Sequence, residues 1–279
     1  MLTSNLGVLL SQSGRRVVIA DMDLGAANLH TFIEQTELGP GLDGFLNKAV
    51  DRLEDAVVST KVPGLDFLNS VNCNLEIANL YAAQKDKIIR ALQGLPYDYV
   101  FMDLGAGTHF NTLDFFLTSR SGFFIVTPEP TSIENAFTFI KAVYSRILKR
   151  LLKTDPFLKA ARSLALSKAD LNRPFKTIGA VLRADAGLGE VLKAELKTYH
   201  FCFVINQLRP WDDPSLGRRI QQVCNRYFYA DFQFLGNLHH DEAIHEAIQM
   251  QEIFITRNGS TPGNRDLKQI AARLVKNAI

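Results

Sequence analysis

The feature that most limits how this chain can fold is the character of its apolar runs. VVIA at 17–20, YVFM at 99–102, GFFIVT at 122–127 and FCFVIN at 201–206 place apolar side chains at consecutive positions, not alternate ones. Such runs suit strands covered by helices on both faces, the arrangement of a parallel sheet. LDFLNS at 65–70 and FQFLG at 232–236 extend the series. Helical periodicity fills the intervals: Leu2, Leu6, Leu9 and Leu10 run ahead of a stop at Gly14, and further helices are predicted over 82–95, 132–152, 214–229 and 241–250. The pattern predicts an α/β fold, a doubly wound, mostly parallel sheet with helices on both faces. It is read as a single domain over 1–279 without internal repeats. Residues 153–197 differ, being helix-rich with breaks at Pro156, Pro174 and Gly187, and are read as a helical insertion within that domain.

Composition removes several function classes. With 47% hydrophobic and 22% charged residues, the chain can bury a large core. A formal net charge of +2 does not advertise nucleic acid over the whole molecule. The stretch Arg146, Lys149, Arg150 and Lys153 is locally basic and reads as a solvated helix face. Cys73, Cys202 and Cys224 are widely spaced, odd in number and without a CxxC pattern, which argues against a disulfide framework or a zinc site. No signal-peptide pattern or membrane-spanning run is found, and the expectation is a cytoplasmic protein.

In open parallel sheets ligands lie beyond the carboxyl ends of the strands. The first strand delivers Asp21-Met22-Asp23-Leu24-Gly25, another delivers Asp103-Leu104-Gly105-Ala106-Gly107, and a third delivers Asn206. Paired carboxylates can hold magnesium through its waters or orient an attacking water beside a phosphate. Glycine after a strand carboxylate lets a backbone N–H approach a phosphate oxygen. A side-chain amide can match the N6 and N7 edge of adenine. Taken singly, each also has a plain reading, since an Asp after a strand is often only a helix cap.

DMDLGAANLH resembles the region after the first strand of the MinD/ParA family of deviant Walker A P-loop ATPases, and SNLGVLL resembles the helix before it. FMDLGAGTHFNTLDFF is similar to their Walker B and switch II segment, and IVTPEPTSIENAFTFIK to the strand, proline-rich turn and helix that follow. The wording, together with FLGNLHHDEAIHEAI, is most like the FlhG-like branch, which regulates flagellar number and placement. The resemblance covers most of 1–145 and 200–279 and implies a P-loop NTPase-like fold.

Members of this family carry a KGGxGK loop followed by Ser or Thr. Spacing back from Asn5 puts that hydroxyl residue immediately before residue 1, and no substitute loop occurs elsewhere in the chain. Asp21, Asp23, Asp103 and Gly105 are still present together. This favours a start placed at an internal methionine over a decayed remnant, and the expectation is an in-frame loop directly upstream. ATP and Mg2+ are the implied cofactors, and both are expected to need that loop. The resemblance makes Asp23 the residue that orients the attacking water, Asp21 and Asp103 the supports of magnesium, and Gly105 a γ-phosphate contact within a switch. Asn206 takes the adenine contact. It implies an ATP-dependent homodimer acting as a slow switch in subcellular positioning or cell division, with a protein partner from a positioning or flagellar system. A nucleotide-free adaptor and a cobyrinic acid a,c-diamide synthase-like enzyme are the alternatives.

Two features remain. His239, His240, Asp241, Glu242 and His245 suggest a metal cluster at first sight, but without HExxH they read as a helix start with Asp241 near the cap. NRDLKQIAARLVKNAI places Leu267, Ile270, Ala271, Leu274 and Val275 on one face. Its apolar residues are small, so it reads as a helix packed on the core in preference to a peripheral contact with the inner membrane.

Overall fold

Arg15 and Arg16 lead into β1 (Val17–Asp21), which is buried at every position, as a strand flanked on both edges and covered on both faces must be. The computed structural model describes residues 1–71, 80–155, 157–167, 169–257 and 260–277. Cys73 lies outside them. The chain divides into two compact units: Met1–Thr118 with His239–Ile279, and Ser119–Leu238.

In the first unit, β1 pairs in parallel with β3 (Leu65–Leu68) on one side and β4 (Tyr99–Asp103) on the other. The short β2 (Val58–Ser59) runs antiparallel to β3, giving the order β2-β3-β1-β4. Helix α1 (Leu2–Gln12) turns into β1 through Gly14 at φ +84, a conformation that costs glycine little. A Cβ on Gly7 would sit 3.1 Å from both Ile19 and Leu65, so the missing side chain lets α1 lie close on the sheet. The other side of α1 is covered by α11 (Pro262–Asn277), whose Leu267, Ile270 and Ala271 are buried. The apolar face of this last helix is thus used in the core. α10 (Glu242–Gln249) begins at Asp241, whose carboxylate accepts from Ala243 N at 3.1 Å and Gly263 N at 3.0 Å.

After the short α2 (Gly41–Leu46), two further helices of this unit bear on the site. α3 (Ala82–Gln93) and α4 (Phe110–Phe116) run in the same direction, tied by a Lys85–Asp114 ion pair of 2.5 Å and by Gln93 donating to the Thr118 carbonyl at 2.9 Å. The ion pair is deep, its side chains being 13% and 3% exposed.

In the second unit, β5 (Ser121–Val126) and β6 (His200–Leu208) pair in parallel from Ser121↔His200 to Val126↔Ile205, and β7 (Asp231–His239) lies on the far side of β6. α5 (Pro130–Leu151) has proline in its first turn and buries Ile140, Val143, Tyr144, Ile147 and Leu148, a single helical stripe. Its core is aromatic. Phe201 meets Phe232 at 5.1 Å and Phe124 at 5.7 Å, and Phe175 stacks on Phe228 at 4.6 Å between ring centroids. Between α5 and β6 the chain forms α6 (Phe157–Ser163), α7 (Pro174–Ala184) and α8 (Ala186–Lys197), followed after β6 by α9 (Leu216–Tyr227). α8 is capped by Asp185, which accepts from Leu188 N at 2.9 Å.

Candidate functional site

Parallel pairing sets Asp21 directly beside Asp103, and Met22 N donates to the Asp103 carbonyl at 2.8 Å, so the two strand ends leave the sheet together. Asp21 is 2% exposed. Each of its carboxylate oxygens accepts a backbone N–H, from Asp23 at 3.1 Å and from Leu29 at 3.0 Å. The side chain therefore folds the DMDLGAANL turn around itself and aims the following Asp23. Burial is the main reason its pKa lies above the ordinary carboxylate value. The two N–H donors act the other way, and the charges of Asp103 and Asp23 add to the rise.

Asp103 accepts from the Thr3 hydroxyl at 3.2 Å. Its pKa is also raised, chiefly by burial, with the Met1 ammonium and Thr3 opposing and Asp23 adding to the rise. Two residues on, the Cα of Gly105 lies against the Asp23 carboxylate: a Cβ there would stand 2.7 Å from Asp23 Oδ1 and 2.8 Å from its Cγ. Only glycine permits that approach. Gly107, at φ +104, then turns the chain toward α4.

Asp21, Asp23, Asp103 and Gly105 are thus brought together at one end of the first sheet. The donor set suits a hard divalent cation, because the charge of Asp23 adds to the raised pKa of both Asp21 and Asp103, that of Asp103 adds to the rise at Asp21, and a cation would relieve this repulsion. Among the described residues, no three His, Cys, Asp or Glu side chains are grouped to ligate one ion directly. The fit is to an ion held largely through its own waters, the habit of magnesium.

Asn206 belongs to the second unit, two residues before the end of β6. It is half-buried, and no hydrogen bond engages its amide among the described residues. The next residue, Gln207, has φ +57, unusual for a side chain of this kind. At the exit of β5, Thr127 N donates to Ser132 Oγ at 3.0 Å. The Glu129 carboxyl is held below its ordinary value by the Thr127 side chain, with Arg209 contributing.

Other candidates resolve differently. His239 pairs with Asp266 at 2.8 Å, His240 with Glu242 at 3.0 Å and His245 with Gln249 at 3.0 Å, so the histidines turn to separate partners. Burial pushes the Cys202 thiol up to about 11 and the Cys224 thiol up to about 12, the wrong direction for a nucleophile. Reading the sequence missed Thr3, whose hydroxyl reaches Asp103 across a hundred residues of chain, and the Lys85–Asp114 pair that ties α3 to α4. For Thr3 the available signal was a hydroxyl in the first turn of a helix that precedes an acidic strand end. For Lys85 there was none.

The family model described as the CobQ/CobB/MinD/ParA nucleotide binding domain matches residues 1–254. A septum site-determining protein MinD of Oltmannsiellopsis viridis is 29% identical over 136 residues, 48% of this chain and 42% of that protein. The antiactivator FleN of Pseudomonas aeruginosa is 22% identical over 249 residues, covering 88% of this chain and 71% of FleN. Against the MinD relatives the chain spans about half their length, 42% and 48% for the first two. The structure of MinD from Pyrococcus horikoshii complexed with Mg-ADP superposes with a TM-score of 0.64 at 19% identity, over 99% of this chain and 90% of that one.

Proposed function

The chain belongs to the CobQ/CobB/MinD/ParA nucleotide-binding domain family, and we propose that within it the protein is an ATP-dependent dimerisation switch for subcellular positioning. The observation that carries this reading is that the Asp23 carboxylate occupies the space a Cβ on Gly105 would need. A residue suited to orienting water and a glycine suited to meeting a phosphate follow different strands and lie side by side. In this reading Asp23 orients the attacking water, Asp103 supports magnesium through its water shell, and Asp21 does so while holding the loop that presents Asp23. The Gly105 N–H meets the γ-phosphate, and Asn206 takes the adenine edge. Magnesium, when bound, neutralises phosphate charge; what the chain supplies is the arrangement of carboxylates and backbone around it.

Flagellar number and placement is the branch we favour, supported by the match to FleN along most of the chain. The MinD relatives support a septum-placement role in the same class, with a protein partner; a MinC:MinD complex is known for Aquifex aeolicus. A peripheral membrane contact through α11 is not part of the proposal, because its apolar face packs inward. The synthase-like alternative gains nothing from Cys202 and Cys224, both with raised thiol pKa values.

We further propose that the nucleotide-handling form has a strand and phosphate loop alongside β4. β4 is the outer strand of its sheet and is apolar over YVFM, with every residue half-buried. An apolar edge of this kind calls for cover.

The test uses a chain extended before Met1 by a strand and a KGGxGKT loop. It should bind Mg-ATP, dimerise and hydrolyse slowly. Asp23→Ala should keep ATP-dependent dimers and lose hydrolysis, because a water-orienting group acts mainly in the transition state. Asp103→Ala should lose magnesium-dependent binding itself. Light scattering with and without magnesium separates the two, and hydrolysis at the unmodified rate by both variants would sink the assignment.

A further inference from the structure

Beyond Asn206, the exit of β6 is built more firmly than a plain connection to α9 requires. Arg209 N donates to the Asp212 carboxylate at 2.8 Å, and Asp212 N donates back to the Arg209 carbonyl at 3.0 Å, closing a tight turn at the strand end. The Ser215 N–H and hydroxyl both donate to Asp213, at 2.8 Å and 2.7 Å, and Asn237 on β7 donates to the Pro214 carbonyl at 3.1 Å. This braced turn carries Trp211, which is 75% exposed. The Arg209 guanidinium carbon stands 5.5 Å from the centre of its ring, a cation–π arrangement. Glu129, at the exit of β5, interacts electrostatically with the same arginine.

A large ring held in water on a fixed backbone loses little further freedom when something stacks on it. The chain neighbours of Trp211 are Arg209, Pro210, Asp212 and Asp213, so the apolar surround that shelters a protein-binding hot spot is not formed by them. Two strand residues, about 7 Å of chain, take Asn206 to Leu208, and the Arg209–Asp212 turn that carries Trp211 follows at once. One bicyclic base is of the size to be shared between the indole and the amide.

We propose that Trp211 is the stacking platform for the purine ring whose edge Asn206 reads, with Arg209 bracing the indole. This rests on the assignment of Asn206 above and divides base selection between two residues. Stacking favours purines over pyrimidines through ring area, whereas the amide separates adenine from guanine through its donor and acceptor.

Trp211 is the only tryptophan in the chain, so its emission reports this one position. The 279-residue chain is titrated with ADP and with CDP in magnesium, with excitation at the red edge of the indole band where the bases are transparent. Saturable quenching by ADP, and several-fold weaker quenching by CDP, is expected. Equilibrium dialysis should show Trp211→Ala binding ADP about tenfold more weakly, with Trp211→Phe restoring most of the affinity and CDP nearly unaffected by either. Asn206→Ala should instead narrow the gap between ADP and GDP. If Trp211→Ala binds ADP as tightly as the unmodified chain, the stacking role is wrong while the Asn206 assignment stands. If the chain extended before Met1 by the strand and loop also binds no ADP at millimolar concentration, both fall together.

Discussion

The carboxylate end of the first sheet and the aromatic core of the second unit solve the same problem by different physics. At the first, Asp21 is held by two backbone N–H groups, Asp103 by a hydroxyl, and Asp23 presses on a glycine, so position is fixed by hydrogen bonds and by the space a missing Cβ leaves. In the second, position is fixed by packed rings, with Phe201, Phe228 and Phe232 each touching several others. Hydrogen-bonded order is directional and sensitive to charge. Ring packing is neither, and it leaves the polar strand exit, with Asn206, outside the core. Charge substitutions at the carboxylate end of the first unit should therefore act on its hydrogen-bonded order directly, whereas the aromatic core of the second unit should be insensitive to pH.

The largest test of that contrast is the Lys85–Asp114 pair. Lys85→Met removes the cation paired with the buried Asp114 carboxylate and should cost roughly 3–5 kcal/mol, read as a fall in the urea midpoint. Replacing both partners with apolar residues should recover most of the loss. A double variant no better than the single one would show that the pair does more than neutralise charge. A smaller effect is expected for Asp21→Ala, which leaves the Asp23 and Leu29 N–H groups without their acceptor but also removes a buried charge, for a net cost of about 1–3 kcal/mol. Amide exchange should quicken at Leu29 first. Unchanged exchange there would mean that the loop does not depend on Asp21.

The smallest effect has the opposite sign. Because the folded-state pKa of Asp103 is raised, the folded state binds more protons than the unfolded one between the ordinary value of 3.8 and the raised value. Stability falls as pH rises through that window and stays lower above it. Asp103→Asn should therefore raise the melting temperature at pH 7, and the gain should fade as pH falls toward 3.8. A loss at neutral pH would show that interactions with Thr3 and its surroundings outweigh the cost of burying the charge.

Much of the fold was legible because strand burial and helix stripes write themselves as periodicity. β1, β4 and β5 lie within a residue of the runs read from the sequence, and the apolar face predicted for the last helix is the buried one. Boundaries slipped where a polar side chain competes with the backbone. β3 stops at Leu68, and the side chain of Asn69 bonds Leu38 and Val71 instead of continuing the ladder. α9 starts at Leu216, two residues later than expected, because Asp213 and Ser215 form a turn of their own. The strand-end aspartates and Gly105 could be picked out by type and spacing. The Thr3–Asp103 bond, the Lys85–Asp114 pair and the left-handed Gln207 come from tertiary placement, which leaves no local trace.

The first unit is assembled from both flanks of the chain, whereas the second is one continuous stretch. On the ribosome this becomes a matter of timing. Residues 119–238 can collapse on their aromatic core as they emerge, while α1 waits for the covering residues Leu267, Ile270 and Ala271 and for Ile255, whose N–H meets Asn5 at 2.8 Å. At roughly 5–20 residues per second, the apolar side of α1 stays open for many seconds of synthesis. The carboxylate cluster it supports is therefore completed only after the second unit has already formed its core.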